Sequence, residues 1–139
     1  MSDYDTDILL WSEQQADALR RRAANELDWD NVAEEIEDVG KSQLRAVASH
    51  LVQALLHDLK AEAWPLSLDV PHWRAEARGQ RDEAREAYAP SMKDRPDLAV
   101  EKLYRRALRR MPDTIDGQAP LPAQTECPFG SIEELFSEP

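Results

Sequence analysis

From Val32 to Leu59 the apolar side chains recur at steps of three and four. Val32, Ile36, Leu44, Val47, Leu51, Leu55 and Leu59 keep one phase, and Gly40 falls where a step is skipped. That is the 3.6-residue period of a helix that buries one face. It predicts a single helix over about residues 30–62, roughly 50 Å long at the standard rise. A glycine inside a helix costs about 1 kcal/mol relative to alanine, so Gly40 asks for a close helix neighbour or a kink. The alternative is a break at Gly40-Lys41, with Ser42 capping a new helix.

The rest of the chain is read around that element. Asp5 is placed to cap a first helix over about residues 6–25. Its face is Ile8, Trp11, Gln15, Ala18, Leu19 and Arg22, and the apolar members are expected inside. Trp29 precedes the long helix as a hydrophobic staple. Trp64 to Pro71 is a connector, and Pro71 suits a first helical turn. A third helix over about 71–88 carries Trp73, Ala77, Ala84 and Tyr88 on one side, and Arg74, Arg78, Arg81 and Arg85 as a stripe. A fourth starts at Asp94 or Pro96 and runs to Arg110, with Leu98, Leu103, Ala107, Leu108 and Met111 inward. Residues 113–130 form an extended, proline-containing strap. Ser131-Ile132-Glu133-Glu134 is a capping box opening a short helix over about 131–136. Nineteen Ala and sixteen Leu stand against thirteen β-branched residues, which favours helix. The expected fold is all-α: one compact domain over 1–139, of four main helices, two of them long, plus the strap and its short helix.

Charge is segregated. Residues 1–40 hold twelve acids and three bases, residues 41–112 ten and fourteen, and residues 113–139 six acids and no base; the whole chain is at −11. Such an acidic protein argues against general nucleic-acid binding, because counterion release needs clustered cations. The local basic helix over residues 102–110 keeps that class open as an alternative. One cysteine, Cys127, excludes an internal disulfide framework and a multi-cysteine zinc site. No apolar run is long enough to span a membrane, and the acidic N-terminus lacks the features of a signal peptide. These points predict a cytoplasmic protein without a membrane partner.

Candidate chemistry is sparse. Glu34, Glu37 and Asp38 share a helix face and could hold a cation, meet a basic partner or pair with the third-helix arginines. If Glu34 and Glu37 lie beside Arg74 and Arg78, fork-like ion pairs become available, and Arg78→Ala is then expected to lower stability. His57 is a weak candidate for acid–base work. His50 and His57 are too far apart along a helix to share one metal, and the zinc spacing is missing. Lys60, Trp29, Trp73, Arg74 and Arg78 complete the binding candidates, either as core and surface residues or as an aromatic pocket with cations. No phosphate loop, nucleophile elbow or dinucleotide fingerprint occurs. No metal and no cofactor are expected.

Several local patterns together resemble a known family. They are Tyr4-Asp5 with Asp7 and Trp11; Leu27-Asp28-Trp29-Asp30-Asn31-Val32-Ala33-Glu34-Glu35-Ile36-Glu37-Asp38; Leu55-Leu56-His57-Asp58-Leu59-Lys60; Trp73-Arg74 with Arg78 and Gln80-Arg81; and Cys127-Pro128. This is similar to the bacterial domain-of-unknown-function family numbered twenty-nine, over nearly the whole chain. The resemblance implies a compact all-helical fold and supplies no activity. Ala61-Glu62-Ala63-Trp64-Pro65 departs from it, since the family has a more aromatic and basic run there.

The sequence therefore argues for a non-enzymatic protein-interaction or self-association module. One alternative is a small metal-assisted or acid–base enzyme acting on an anionic substrate. It requires His57 to meet the acidic cluster through a break at Gly40 or across a dimer.

Overall fold

In the computed structural model, which describes residues 2–137, six α-helices follow one another: α1 Asp3–Thr6, α2 Ile8–Arg20, α3 Trp29–Ala63, α4 Val70–Ala87, α5 Val100–Arg109 and α6 Ile132–Ser137. Short 3₁₀ turns occupy Ala24–Glu26, Pro90–Met92 and Pro96–Leu98. No β-strand occurs among the described residues; one isolated antiparallel bridge joins Ile115 to Gln118. The fold is all-α, with four main helices, two of them long, as the periodicity implied. The chain divides into two compact units, residues 1–42 and 43–139, and α3 contributes to each.

Helix α3 runs unbroken through Gly40. A close helix neighbour is not the reason for that glycine: a β-carbon there would meet nothing within 4 Å.

In the first unit the N-terminal end differs from the sequence expectation. Asp3–Thr6 forms a separate turn of helix, and Asp7, not Asp5, caps α2 by accepting from the Leu10 amide at 3.0 Å. The helix closes at Arg20, where Arg22 takes a left-handed conformation (φ 57°) and the Ala23 amide reaches back to the Ala18 carbonyl. Of the face expected inside, Trp11 and Ala18 are buried, whereas Ile8 and Leu19 stand about half exposed. Trp11 is fixed on two sides, edge-on to Tyr4 at 4.8 Å and donating its indole N–H to Asp28 at 3.0 Å. Trp29 does not act as a staple. It is 62% exposed and donates to the Ala24 carbonyl.

The second unit holds the main core. The C-terminal half of α3 buries Val47, Leu51, Val52, Leu55 and Leu59 against Ala84 of α4, Leu103, Tyr104 and Ala107 of α5, and Ile132 and Leu135 of α6. A smaller cluster joins Ala61, Ala63, Trp64 and Trp73. Pro71 lies in the first turn of α4, where its missing N–H is harmless. Helix α5 begins later than expected because Pro96 opens a 3₁₀ turn, not the helix itself. Residues 113–130 are mostly exposed and connect α5 to α6. Within them Leu121 donates its amide to the Ala63 carbonyl, and Tyr104 donates its hydroxyl to the Gln124 carbonyl.

Candidate functional site

Two surfaces carry unspent chemistry, one in each unit. In the first, Tyr4 donates its hydroxyl to Glu35 Oε1 at 2.7 Å, and that bond, with the neighbouring acids, pushes the Tyr4 phenol up to about 12. Asp28 accepts from Asn31 and Trp11, which holds its carboxyl below the ordinary aspartate value. Its amide donates to Gln15 Oε1 at 2.7 Å. Glu34 and Glu37 are exposed and Asp38 half-buried. Along α3, Trp29, Ile36 and Val39 stand out to solvent at steps of seven and three, the last two near 66% and 67% exposed. Helix α2 exposes Ile8, Leu9, Leu10 and Leu19.

In the second unit a cleft of about 720 Å³ opens between α3, α4, α5 and the C-terminal segment. Leu55, Leu59, Tyr104, Pro128 and Phe129 supply its apolar lining, and Asp58, Glu62, Arg74, Arg78, Glu134 and Ser137 its polar lining. Asp58 is the hub of its charges. Its Oδ2 lies 2.6 Å from the Arg81 guanidinium and its Oδ1 3.2 Å from that of Arg74. Arg81 is fully buried, donates Nε–H to the Leu135 carbonyl at 2.9 Å, and stands 6.0 Å over the Phe129 ring. Arg85 donates to the carbonyl of Phe136, so two arginines of α4 grip α6. Glu134 accepts from the Gly130 amide while its own amide donates to Ser131 Oγ, the capping box read from the sequence with its return bond shifted to Gly130. Partial burial, then the nearby Asp58, push the Glu62 carboxyl up, with Arg74 opposing.

Several sequence candidates lie elsewhere. Trp73 packs in the core with Trp64, and the cleft's aromatic members are Tyr104 and Phe129. His57 is half-buried and donates from Nδ1 to the Gln53 carbonyl one turn back at 2.7 Å; it is not among the cleft's lining residues. His50 Nδ1 stands 2.7 Å from Gln80 Oε1 and joins α3 to α4. Lys60 is half-buried. Arg74 and Arg78 do line the cleft, but Arg74 takes Asp58 as its partner, and Arg78 is exposed with no ion pair among the described residues. The continuous α3 removes the break at Gly40 that a joint role for His57 and the acidic cluster requires within one chain. Among the described residues no three His, Cys, Asp or Glu side chains are grouped to hold a metal ion, and no helix is long and apolar enough to cross a membrane.

Sequence reasoning missed Asp58 and the special standing of Arg81. A signal for Arg81 was available: Trp73, Ala77, Ala84 and Tyr88 leave one gap in their period, and Arg81 fills it. Its cationic head concealed that position within a stripe of arginines.

This geometry defines an all-helical protein with a mixed polar and apolar cleft. The match to a family model over residues 4–138 places it further: the chain belongs to the family of the domain of unknown function DUF29. Neither a curated protein nor a solved structure matches it.

Proposed function

We propose that this protein is a non-enzymatic interaction module that associates with a second copy of itself through the apolar face of its first unit. The observation that carries the reading is the row Trp29, Ile36 and Val39 on α3, exposed and spaced as in the seam of paired helices. A soluble monomer gains nothing from such a row, and contiguous apolar surface marks contact sites. The charge blocks support the same reading. Acidic residues 1–40 and the cations Lys102, Arg105, Arg106, Arg109 and Arg110 on and just beyond α5 offer two copies opposite-sign surfaces. The excess negative charge speaks against nucleic acid as the partner of α5.

Sedimentation velocity across the micromolar range tests the proposal. The wild type is expected to shift to larger species with concentration, and the double variant Ile36→Glu, Val39→Glu to stay monomeric. A wild type that remains a strict monomer overturns it.

A further inference from the structure

We infer that the cleft lined by Leu59, Glu62, Arg74, Arg78, Tyr104 and Phe129 is a binding site for a small organic anion with an apolar body, such as an aryl-substituted carboxylate. Its volume of about 720 Å³ lies within the range that holds small ligands. The chemistry follows from which lining groups are already committed.

Both oxygens of Asp58 are taken, one by Arg81 and one by Arg74. Glu134 is held by the Gly130 amide. The Tyr104 hydroxyl is turned to Gln124. What remains is Arg78, which has no carboxylate within ion-pair reach among the described residues, the rest of Arg74, which has one ion-pair contact, at 3.2 Å, and Glu62. Arg74 and Arg78 are one turn apart on α4 and present their donors on one face. Guanidiniums are suited to a carboxylate because their N–H groups match its two oxygens. Glu62 makes that choice depend on pH, because as a carboxylate it repels an anion. Raised by burial and by Asp58, it is more readily protonated than an ordinary glutamate, and as a neutral acid it donates a hydrogen bond. The charged and titratable groups that line the cleft with it are Asp58 on its own helix, Arg74 and Arg78 on α4, Tyr104 on α5 and Glu134 on α6, of which Asp58, Arg74 and Tyr104 interact with it electrostatically. Leu55, Leu59 and Phe129 then supply an apolar bed for the ligand's body.

Calorimetric titration of the full chain with phenylacetate, and with its neutral amide phenylacetamide, tests the site. Phenylacetate is expected to bind, and the amide at least about tenfold more weakly, since a charge-assisted hydrogen bond is worth about 1.5–3 kcal/mol. Arg78→Gln, at an exposed position where folding survives, should weaken phenylacetate about two- to fivefold. Affinity should rise as the pH is lowered from neutrality toward the Glu62 titration, and Glu62→Gln should remove that dependence. The Ile36→Glu, Val39→Glu variant should bind phenylacetate as the wild type does, which separates this site from the association surface. No uptake at millimolar phenylacetate, equal affinity for the amide, or an unchanged Arg78→Gln overturns the inference.

Discussion

Arg81 and Asp58 meet at 2.6 Å with only 1% of the arginine side chain exposed. The arginine belongs to α4 and the aspartate to α3, and the same guanidinium donates to Leu135 in α6. One side chain therefore ties three helices together. The pair survives burial because each partner has further bonds: Asp58 also meets Arg74, and Arg81 also meets the Leu135 carbonyl.

Asp58→Ala is expected to be among the most destabilising substitutions in the second unit. It leaves a buried guanidinium without its counter-charge, a loss of about 3–5 kcal/mol. A chain of this size then melts about 10 °C lower. Asp58→Asn keeps an acceptor and should recover part of that loss. Urea and thermal melts of the three proteins check the order. Equal melting of Asp58→Ala and wild type would mean that water replaces the pair without penalty.

Arg78→Ala is expected to leave the melt unchanged, within about 0.5 kcal/mol, as for other exposed positions outside a network. This reverses the expectation from the sequence, in which Arg78 paired with Glu34 or Glu37. The contrast with Arg81→Ala, which should be strongly destabilising, is the useful measurement. A loss of several degrees in Arg78→Ala would show that the exposed arginine is held by a partner.

What could be read without coordinates was set by period and by local stop signals. Leu44 to Leu59 fixed the phase of α3, Pro71 the start of α4, and Ser131 with Glu134 the start of α6, because each effect acts within a turn or two of chain. The start of α5 was harder, since Pro96 suits a 3₁₀ turn as well as a helix. The cleft was legible only in part. Arg74 and Arg78 share a face by simple spacing, but their neighbours Glu62, Tyr104 and Phe129 come from distant segments. No periodicity reports that meeting. Asp58 lay inside a recognisable motif, yet its partner depends on how α3 packs on α4.

The first unit should loosen on acidification in a way that depends on Asp28. Its carboxyl is held below the ordinary aspartate value by Asn31 and by the Trp11 indole. A group depressed in the folded state contributes stability that is present above its unfolded pKa. That contribution is lost as the pH falls through the folded value. Trp11 emission, followed in a variant with the other tryptophans replaced by phenylalanine, is expected to change in that acid window. Asp28→Asn should start less stable at neutral pH and lose the Asp28-linked part of the response. An acid response identical in Asp28→Asn would assign it to other carboxylates.

Two glycines should respond in opposite directions to alanine. Gly40 is interior to α3, and a β-carbon there would meet nothing within 4 Å. Its backbone is helical, so Gly40→Ala removes freedom from the unfolded chain and improves helix propensity, a gain of about 0.5–1 kcal/mol. Gly117 differs in its backbone. It follows Asp116, both with positive φ (52° for Asp116 and 75° for Gly117), in a tight turn closed by two hydrogen bonds between Ile115 and Gln118. Successive positive φ angles mark the hairpin turn that favours Asp-Gly. A β-carbon at Gly117 also meets nothing within 4 Å, so space is not the obstacle. The left-handed backbone is, and Gly117→Ala should lose about 1 kcal/mol. The Trp64 indole donates to the Gln118 carbonyl at 2.9 Å, so its fluorescence should report the loosened turn. Chemical melts of both variants check the pair of signs. A destabilised Gly40→Ala would reveal a close approach to that helix face, and a neutral Gly117→Ala would show that the turn relaxes into another type.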